Sequence, residues 1–389
     1  MRYITPHILR DLEKKMVFVG GPRQVGKTTM AKNILAGHFS SGRYFNWDFD
    51  EDRRALLKKR WQAKDRLLVF DELHKYPRWK QWIKGIFDVM GEDHSILVTG
   101  SARLDIYRRG GDSLLGRYHY WRLHPFTLDD LPPGMDAQTA FHRLMTVGGF
   151  PEPFIDGDER QARRWRRERF DRVFREDIRD TEQVRDIQTL RLFTDMLRER
   201  VGSTIVLANI ARDLQVAHKT LKNWLAVLER MYVLFPVRSY VKSGPRAILK
   251  PPKIYFFDNG DVLGDKGARF ENLVAATLLK RCHFLEDRDG YRYELCYIRD
   301  KDGREVDFAI LREGRLRTLI EVKYSDENII TPLRYYTKKL EPPESVQIVA
   351  TLGSPYDAGT IQVRSPVDYF CGPDSVYESA CSDHCSENS

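Results

Sequence analysis

Residues Gly21 to Thr28 read G-P-R-Q-V-G-K-T, a turn bracketed by two glycines that ends on a lysine and a hydroxyl. Backbone amides curled in such a turn form a concave row of donors for phosphate oxygens, and a helix starting at its end adds partial positive charge. Lys27 has the charge and reach for β and γ phosphates, and the Thr28 hydroxyl suits one coordination position of Mg²⁺. The expected nucleotide contacts are therefore Gly21, Pro22, Arg23, Gln24, Val25, Gly26, Lys27, Thr28 and Thr29, with ATP and Mg²⁺ as the implied cofactors.

A second group lies 43 residues beyond Thr28, where the apolar run Arg66-Leu67-Leu68-Val69-Phe70 ends in Asp71-Glu72. An acidic pair at the carboxyl end of a buried parallel strand shares the crest on which open α/β sheets bind ligands. Asp71 is expected to hold the Mg²⁺ shell, and Glu72 to orient and deprotonate an attacking water. Thr99 or Ser101, closing the apolar run from Ser95, is expected to sense the γ-phosphate or place the water. Arg117, just before Tyr118-His119-Tyr120-Trp121-Arg122-Leu123, can neutralise transferring phosphate charge, in cis or across a subunit boundary. A salt bridge to a nearby carboxylate is the alternative for that arginine.

A third constellation is D-x13-E-x-K, formed by Asp307, Glu321 and Lys323. A hairpin centred near Gly314 sets Asp307 opposite Glu321, and the two-residue strand period puts Lys323 on the face of Glu321. Glu271, on a helix opening at Phe270, can approach as a third carboxylate. Such a cluster can hold Mg²⁺ and assist water against a phosphodiester. It marks a possible nuclease centre, and the same core also serves as a binding or structural domain.

These groups need rigid elements to position them. Met16 to Val19, Arg43 to Trp47, Arg66 to Phe70, Ser95 to Ser101 and Tyr118 to Leu123 read as strands. Asp48 to Lys64 reads as a charged helix, and Tyr76 to Met90 as one whose Trp79, Trp82, Ile83, Ile86 and Phe87 pack on the sheet. Pro125 to Pro133 closes this domain, taken as 1–125. Residues 126–235 are helical, with Gly148 to Pro153 as punctuation. The arginine-rich run from Arg163 suits a solvated helix with i,i+4 pairs to Glu168, Asp171, Glu176 and Asp177, or else a polyanion surface. From 205 to 235 the pattern is helix-turn-helix: Ala208 to Asp213, a turn at Leu214-Gln215-Val216, then Ala217 to Arg230. Leu221, Leu225 and Leu228 line its inward face, and Lys219, Lys222 and Asn223 point outward, toward DNA or a docked protein. A second α/β domain covers 236–365, with strands at Tyr255 to Phe257, Tyr291 to Ile298 and around the hairpin.

At 389 residues the chain exceeds what one core supports, so two or three domains are expected. Its net charge of +8 permits attraction to nucleic acid without requiring it. With no apolar run near the roughly 20 residues of a membrane helix, and no secretory core in MRYITPHILRDLEKK, the cytoplasm is the expected location and no membrane partner is expected. Five cysteines, Cys282, Cys296, Cys371, Cys381 and Cys385, are too few and too uneven for a disulfide framework. The tail 366–389 is expected to be poorly ordered, with a zinc site that includes His384 as the alternative.

The order of these pieces resembles the bacterial and archaeal ATP-binding proteins that join an AAA-like P-loop domain to a carboxy-terminal DUF4143 domain. GPRQVGKTT at 21–29, LLVFDE at 67–72, LVTGSAR at 97–103 and SLLGRYHYWRLHPFT at 113–127 are similar to the first domain. GGFPEP at 148–153, NIARDLQVAHKTLKNWLAVLE at 209–229, YFFDNG at 255–260, FEN at 270–272, EVDF at 305–308 and IEVKYS at 320–325 are similar to the remainder. The resemblance spans residues 3–355. It implies a P-loop NTPase domain of AAA-like type, a winged-helix-like middle and a restriction-endonuclease-like α/β domain of the PD-(D/E)xK kind. The leading expectation drawn from these residues is an ATPase whose nucleotide state gates a nucleic-acid-associated, nucleolytic or binding domain, and the alternative is a nucleotide-controlled protein-interaction module. DNA or another nucleic acid, a protein partner and a second copy of the chain are the partners expected beside ATP.

Overall fold

The computed structural model describes residues 2–91, 93–100, 114–178, 184, 186–240 and 250–372. Ser101, Cys381, His384 and Cys385 lie outside the described residues. The chain divides into two compact units, Met1–Pro125 and Phe126–Ser389, and each is described by itself.

The first unit is built on β1 (Met16–Gly20), β2 (Gly42–Asn46), β3 (Leu67–Asp71), β4 (Ser95–Thr99) and β5 (Tyr118–Arg122). They form one parallel sheet in the order β2-β3-β4-β1-β5. Every residue of β1 and β3 is buried, as expected where helices cover both faces of a parallel sheet. Helix α1 (Thr5–Asp11) precedes β1, and α2 (Lys27–His38) follows the glycine turn. The charged stretch 48–64 is helical only over α3 (Asp50–Leu57), and the chain turns at Lys59 with φ +52°. Helix α4 starts at Trp79, after a 3₁₀ turn Leu73–Lys75 and Pro77, and runs to Met90. Trp79, Ile83 and Ile86 enter the core beside Phe18, Phe45 and Phe70, so this stripe is sheet packing.

Gly21 is required by space. Its φ is +144°, and a Cβ there would meet the Leu123 carbonyl oxygen at 2.3 Å.

The second unit begins with α5 (Ala137–Thr146), α6 (Pro151–Asp156) and α7 (Glu159–Arg172). Helix α7 carries the arginine run, yet one of its arginines is internal. Arg169 is 5% exposed and bonds Asp258 Oδ2 at 3.1 Å and Asp261 Oδ2 at 3.4 Å, neither of which is exposed. Burial pushes Asp261 up to about 6 despite that cation. On the surface Arg163 pairs at i,i+4 with Glu159 at 3.6 Å, an acid other than the four expected.

After α8 (Ile187–Arg198) come α9 (Leu207–Asp213) and α10 (His218–Arg230), separated by a turn in which Gln215 has φ +54°. Leu221 and Leu228 are buried, but Trp224 and Val227 share the inner face with them, and Leu225 is only half-buried. Lys219, Lys222 and Asn223 are exposed.

The remainder is an eight-stranded mixed sheet in the order β12-β13-β11-β10-β9-β8-β6-β7. Its strands are β6 (Leu234–Ser239), β7 (Lys253–Phe256), β8 (Tyr293–Arg299), β9 (Glu305–Arg312), β10 (Arg315–Lys323), β11 (Glu344–Val349), β12 (Tyr356–Ala358) and β13 (Ile361–Arg364). Helix α11 runs 24 residues, Lys266–Asp289, capped by the Asp265 side chain at one end and by Gly290 at φ +74° at the other. It packs on β7, β8 and β10. Helix α12 (Thr331–Leu340) packs on β9 and β10, and α13 (Pro366–Phe370) closes the described chain. Among the described residues no helix is long and apolar enough to cross a membrane.

Arg169→Met leaves Asp258 and Asp261 buried without their cation, which costs about 3–5 kcal/mol. The urea midpoint of the second unit should fall, and adding Asp261→Asn should recover part of the loss. An unchanged midpoint in Arg169→Met would refute the internal pairing.

Candidate functional site

In the first unit the sheet register places three residues in one row. Asp71 of β3 pairs with Thr99 of β4, and Thr99 pairs with Val19 of β1, one residue before the strand ends at Gly20. The Asp71 carboxylate is 5% exposed and collects three hydroxyl donors. Thr28 Oγ1 donates to Oδ2 at 2.6 Å, Tyr44 Oη to Oδ2 at 2.7 Å, and Thr99 Oγ1 to Oδ1 at 2.5 Å. The pair proposed for Mg²⁺, Thr28 and Asp71, is thus already in direct contact. Thr99 is fully buried and holds Asp71 rather than facing outward.

Gly26, at φ +95°, caps the 12-residue helix that opens at Lys27. Lys27 is buried, and its Nζ donates to the carbonyls of Gly21 at 2.9 Å and Pro22 at 2.6 Å. The lysine is folded back on the loop whose phosphate ligand it would otherwise contact. Gln24 has φ +61°, a left-handed backbone that curls the loop between the two glycines. Arg23 and Val25 complete the turn, and Arg2 Nη1 donates to the Val25 carbonyl at 3.1 Å. Thr29 follows within the first turn of α2.

Glu72 has φ +57° and ψ +23°, a strained conformation for a non-glycine residue and one that concentrates at functional sites. Its backbone N–H donates to the Thr99 carbonyl at 2.9 Å, which fixes the turn. The carboxylate lies 3.5 Å from Lys75 Nζ and 3.6 Å from His74 Nε2. Burial raises its pKa, against the lowering pull of Lys27, Lys75 and Arg23. A carboxylate with a raised pKa beside the phosphate loop has the character of a general base.

Arg117 is corrected for any role in cis. Its carbonyl accepts from the Met16 amide at the start of β1, whereas the glycine loop leaves from the other end of that strand. A strand of this length separates the two ends by roughly 15 Å. The guanidinium pairs instead with Asp88 of α4, Nε to Oδ1 at 2.6 Å and Nη2 to Oδ2 at 3.2 Å.

Tyr44 was not singled out by the sequence reading. Its aromatic neighbours mark a strand, and only the pairing of β2 with β3 brings its hydroxyl to Asp71. Burial and then the Asp71 hydrogen bond hold that phenol well above its ordinary range, so it remains a donor. Lys32 Nζ lies 4.6 Å from the ring centroid.

In the second unit the third constellation does assemble. The two-residue turn Glu313-Gly314 sets Arg315 opposite Arg312, and an irregularity between Leu316 and Thr318 then shifts the register by one, to Ile320 opposite Phe308. Continuing that register places Glu321 opposite Asp307. The Asp307 amide donates to Glu321 Oε2 at 3.3 Å, and the Val322 amide to Asp307 Oδ2 at 3.1 Å. Lys323 Nζ reaches Glu321 Oε1 at 2.5 Å. Burial and the neighbouring Asp307 push Glu321 up to about 8.

Glu271 of α11 approaches as expected, but it meets Lys253 Nζ at 3.3 Å and Tyr255 Oη at 2.6 Å. Burial and Asp307 raise its pKa as well. Sequence reasoning missed Lys253, Tyr255 and Glu305 as members of this group. The available signal was a lysine opening the wholly buried strand Lys253-Ile254-Tyr255-Phe256. Among the described residues no three histidine, cysteine or acidic side chains are placed to hold a metal ion.

The AAA domain family matches residues 13–131, a domain of unknown function, DUF8612, matches 138–262, and a domain of unknown function, DUF4143, matches 266–364. An uncharacterized protein of Methanocaldococcus jannaschii is 23% identical over 375 residues, covering 86% of this chain and 82% of the relative. An uncharacterized protein of Mycobacterium tuberculosis is 26% identical over 247 residues, 63% of this chain and 54% of the relative, so the chain spans about half that protein's length. Among solved structures, a RuvB variant of Thermotoga maritima has TM-score 0.32 at 15% identity, covering 60% of this chain and 88% of that one. The RuvB Holliday junction branch migration motor of the same organism has TM-score 0.28 at 17% identity, covering 60% and 85%. The chain therefore carries an amino-terminal AAA domain and a carboxy-terminal DUF4143 domain, the architecture that its motifs resemble.

Proposed function

We propose that the first unit binds and hydrolyses ATP with Mg²⁺, and that its nucleotide state controls the DUF4143-bearing unit. The observation that carries this reading is the contact of Thr28 with Asp71 on the sheet crest, with Lys27 buried in the glycine turn and Glu72 held in a left-handed backbone. Oxygen donors of this kind fit Mg²⁺, so the residues present suit the metal. Thr28 and Asp71 would hold it, and its chemistry there is neutralisation of phosphate charge. On ATP binding, Lys27 exchanges the Gly21 and Pro22 carbonyls for phosphate oxygens. Glu72 takes a proton from the water that attacks the γ-phosphorus, the bond from that phosphorus to the β–γ bridging oxygen breaks, and ADP and inorganic phosphate leave. Thr99 and Tyr44 act as positioning residues, holding Asp71 in place.

The exposed Lys219, Lys222 and Asn223 on α10 support a nucleic-acid-associated second unit, in which the helix pair meets DNA. A second reading is a nucleotide-controlled protein-interaction module with an inactive nuclease-like centre, and the seating of Lys253 among the carboxylates favours it. Work in the cytoplasm, with a protein partner or a second copy of the chain, is compatible with both readings. A salt titration of DNA binding separates them, because phosphate contacts weaken as salt rises.

Glu72→Gln should retain ATP binding and lose phosphate release by about 10²- to 10⁴-fold. Turnover equal to wild type would remove Glu72 as the base. Arg117→Ala should leave turnover unchanged, since Arg117 serves the Asp88 pair; a large loss would instead place it against the nucleotide of another copy.

The raised pKa of Glu321 also sets a pH dependence. Folded Glu321 titrates near 8 and the ordinary value is 4.5, so between these pH values the folded chain holds the proton that the unfolded chain has released. Stability from this group is full below pH 4.5 and declines as pH rises through about 8, and Glu271 adds the same sign. Thermal melts from pH 5 to 9 should show this decline in wild type and a flatter profile in Glu321→Gln. Identical profiles would refute the assignment.

A further inference from the structure

Lys253 is 2% exposed, and its ammonium lies 2.7 Å from Glu305 Oε1, 3.1 Å from Asp307 Oδ1 and 3.3 Å from Glu271 Oε1. An ammonium has three donors, and here each has a carboxylate oxygen in reach. Burial works against its charge, but Asp307, Glu271 and Glu305 hold the lysine well above its ordinary range.

The backbone around the centre is equally committed. Thr204 forms a bridge with Lys253, the Gly202 amide donates to the Ile254 carbonyl at 3.4 Å, and the Ile205 amide to the Pro252 carbonyl at 2.8 Å. Gly202 has φ +76°, and a Cβ there would meet Glu271 Oε2 at 2.7 Å. The stretch Gly202–Ile205 therefore lies against both the lysine strand and the Glu271 carboxylate.

The nuclease-like constellation implies a divalent cation, and the residues present do not fit one. Mg²⁺ requires near-octahedral oxygen ligands at roughly 2.0–2.1 Å and usually keeps several waters. Asp307 and Glu271, two of its expected ligands, already share a buried cation, and the third, Glu321, pairs with Lys323.

We propose that the Lys253 ammonium is the resident cation of this centre, standing in place of the divalent metal and fastening α11 and β9 to β7, the strand against which Gly202–Ile205 lies. The centre then has no metal-dependent cleavage to perform. It is a charge cluster around a buried ammonium. This inference goes beyond the ATPase reading and does not depend on it.

The test uses the full chain without nucleotide and counts bound Mn²⁺ by electron paramagnetic resonance. Wild type and Asp307→Asn should bind the same amount. A Mn²⁺ ion held by wild type and lost in Asp307→Asn would overturn the proposal. Lys253→Met, checked for folding by circular dichroism, should acquire a Mn²⁺ site that Lys253→Met/Asp307→Asn lacks. Its melting point should rise by about 5–10 °C at a hundredfold excess over the dissociation constant. Folded Lys253→Met that gains no Mn²⁺ would overturn the claim that the lysine replaces a metal. If that variant does not fold, the comparison of wild type with Asp307→Asn decides. Phosphate release from ATP in the same preparations reports the amino-terminal site separately.

Discussion

Asp71 takes hydroxyl donors from β2, from β4 and from the start of α2, so one carboxylate ties the phosphate loop to the sheet. This depends on β4 lying between β1 and β3. Adjacent strands are about 4.8 Å apart, so the crest carboxylate and the loop strand are separated by roughly 10 Å. That gap is closed from one side by the Thr28 side chain and from below by Thr99. The strained turn at Glu72 follows from the same arrangement. Its amide must reach the Thr99 carbonyl while the chain leaves the crest, and the left-handed backbone meets both demands.

In the second unit, buried cations are placed against more than one carboxylate. Arg169 meets Asp258 and Asp261, Lys280 meets Asp130 and Asp129, and Lys253 meets three acidic side chains. Removing a charge from water is costly unless the partners satisfy it, so each of these sites fixes the position of several elements at once. The 31% of charged residues in the chain thus includes a set that works as internal fasteners.

What was legible in the sequence follows the range over which each signal acts. The glycine turn, the apolar strand ending in Asp71-Glu72 and the Trp79 stripe are local patterns, and the structure has each in its expected element. The pairing of Asp307 with Glu321 was also legible, although the reason differs. A two-residue turn alone would set Asp307 against Ile320, and the one-residue irregularity near Arg317 restores the Glu321 pairing. Tyr44, Lys253 and the internal Arg169 were not legible, because each acts across strands or helices far apart in the chain. For Arg117 the sequence left a cis phosphate role and a salt bridge both open, and the structure has the salt bridge, to Asp88. Its position before a strand is local information, but which end of the sheet that strand start occupies depends on the parallel pairing with β1.

The two carboxylate centres differ in what it takes to open them. At Asp71 the partners are neutral hydroxyls, whose hydrogen bonds contribute only about 0.5–1.5 kcal/mol each, or up to about 3 to a charged acceptor. Thr28 and Asp71 would hold Mg²⁺ in the proposed reading, and its chemistry there would be neutralisation of phosphate charge. At Asp307 the partner is a buried ammonium with three carboxylates, and separating such a pair costs about 3–5 kcal/mol before any new ligand is bound. The lysine would also need a second place in which to be charged, and Gly202–Ile205 lies against the strand that carries it. The same residue type, an acidic side chain at a sheet, is therefore held by neutral donors in one unit and by a buried cation in the other. The difference lies in whether its neighbours donate a hydroxyl or a full positive charge.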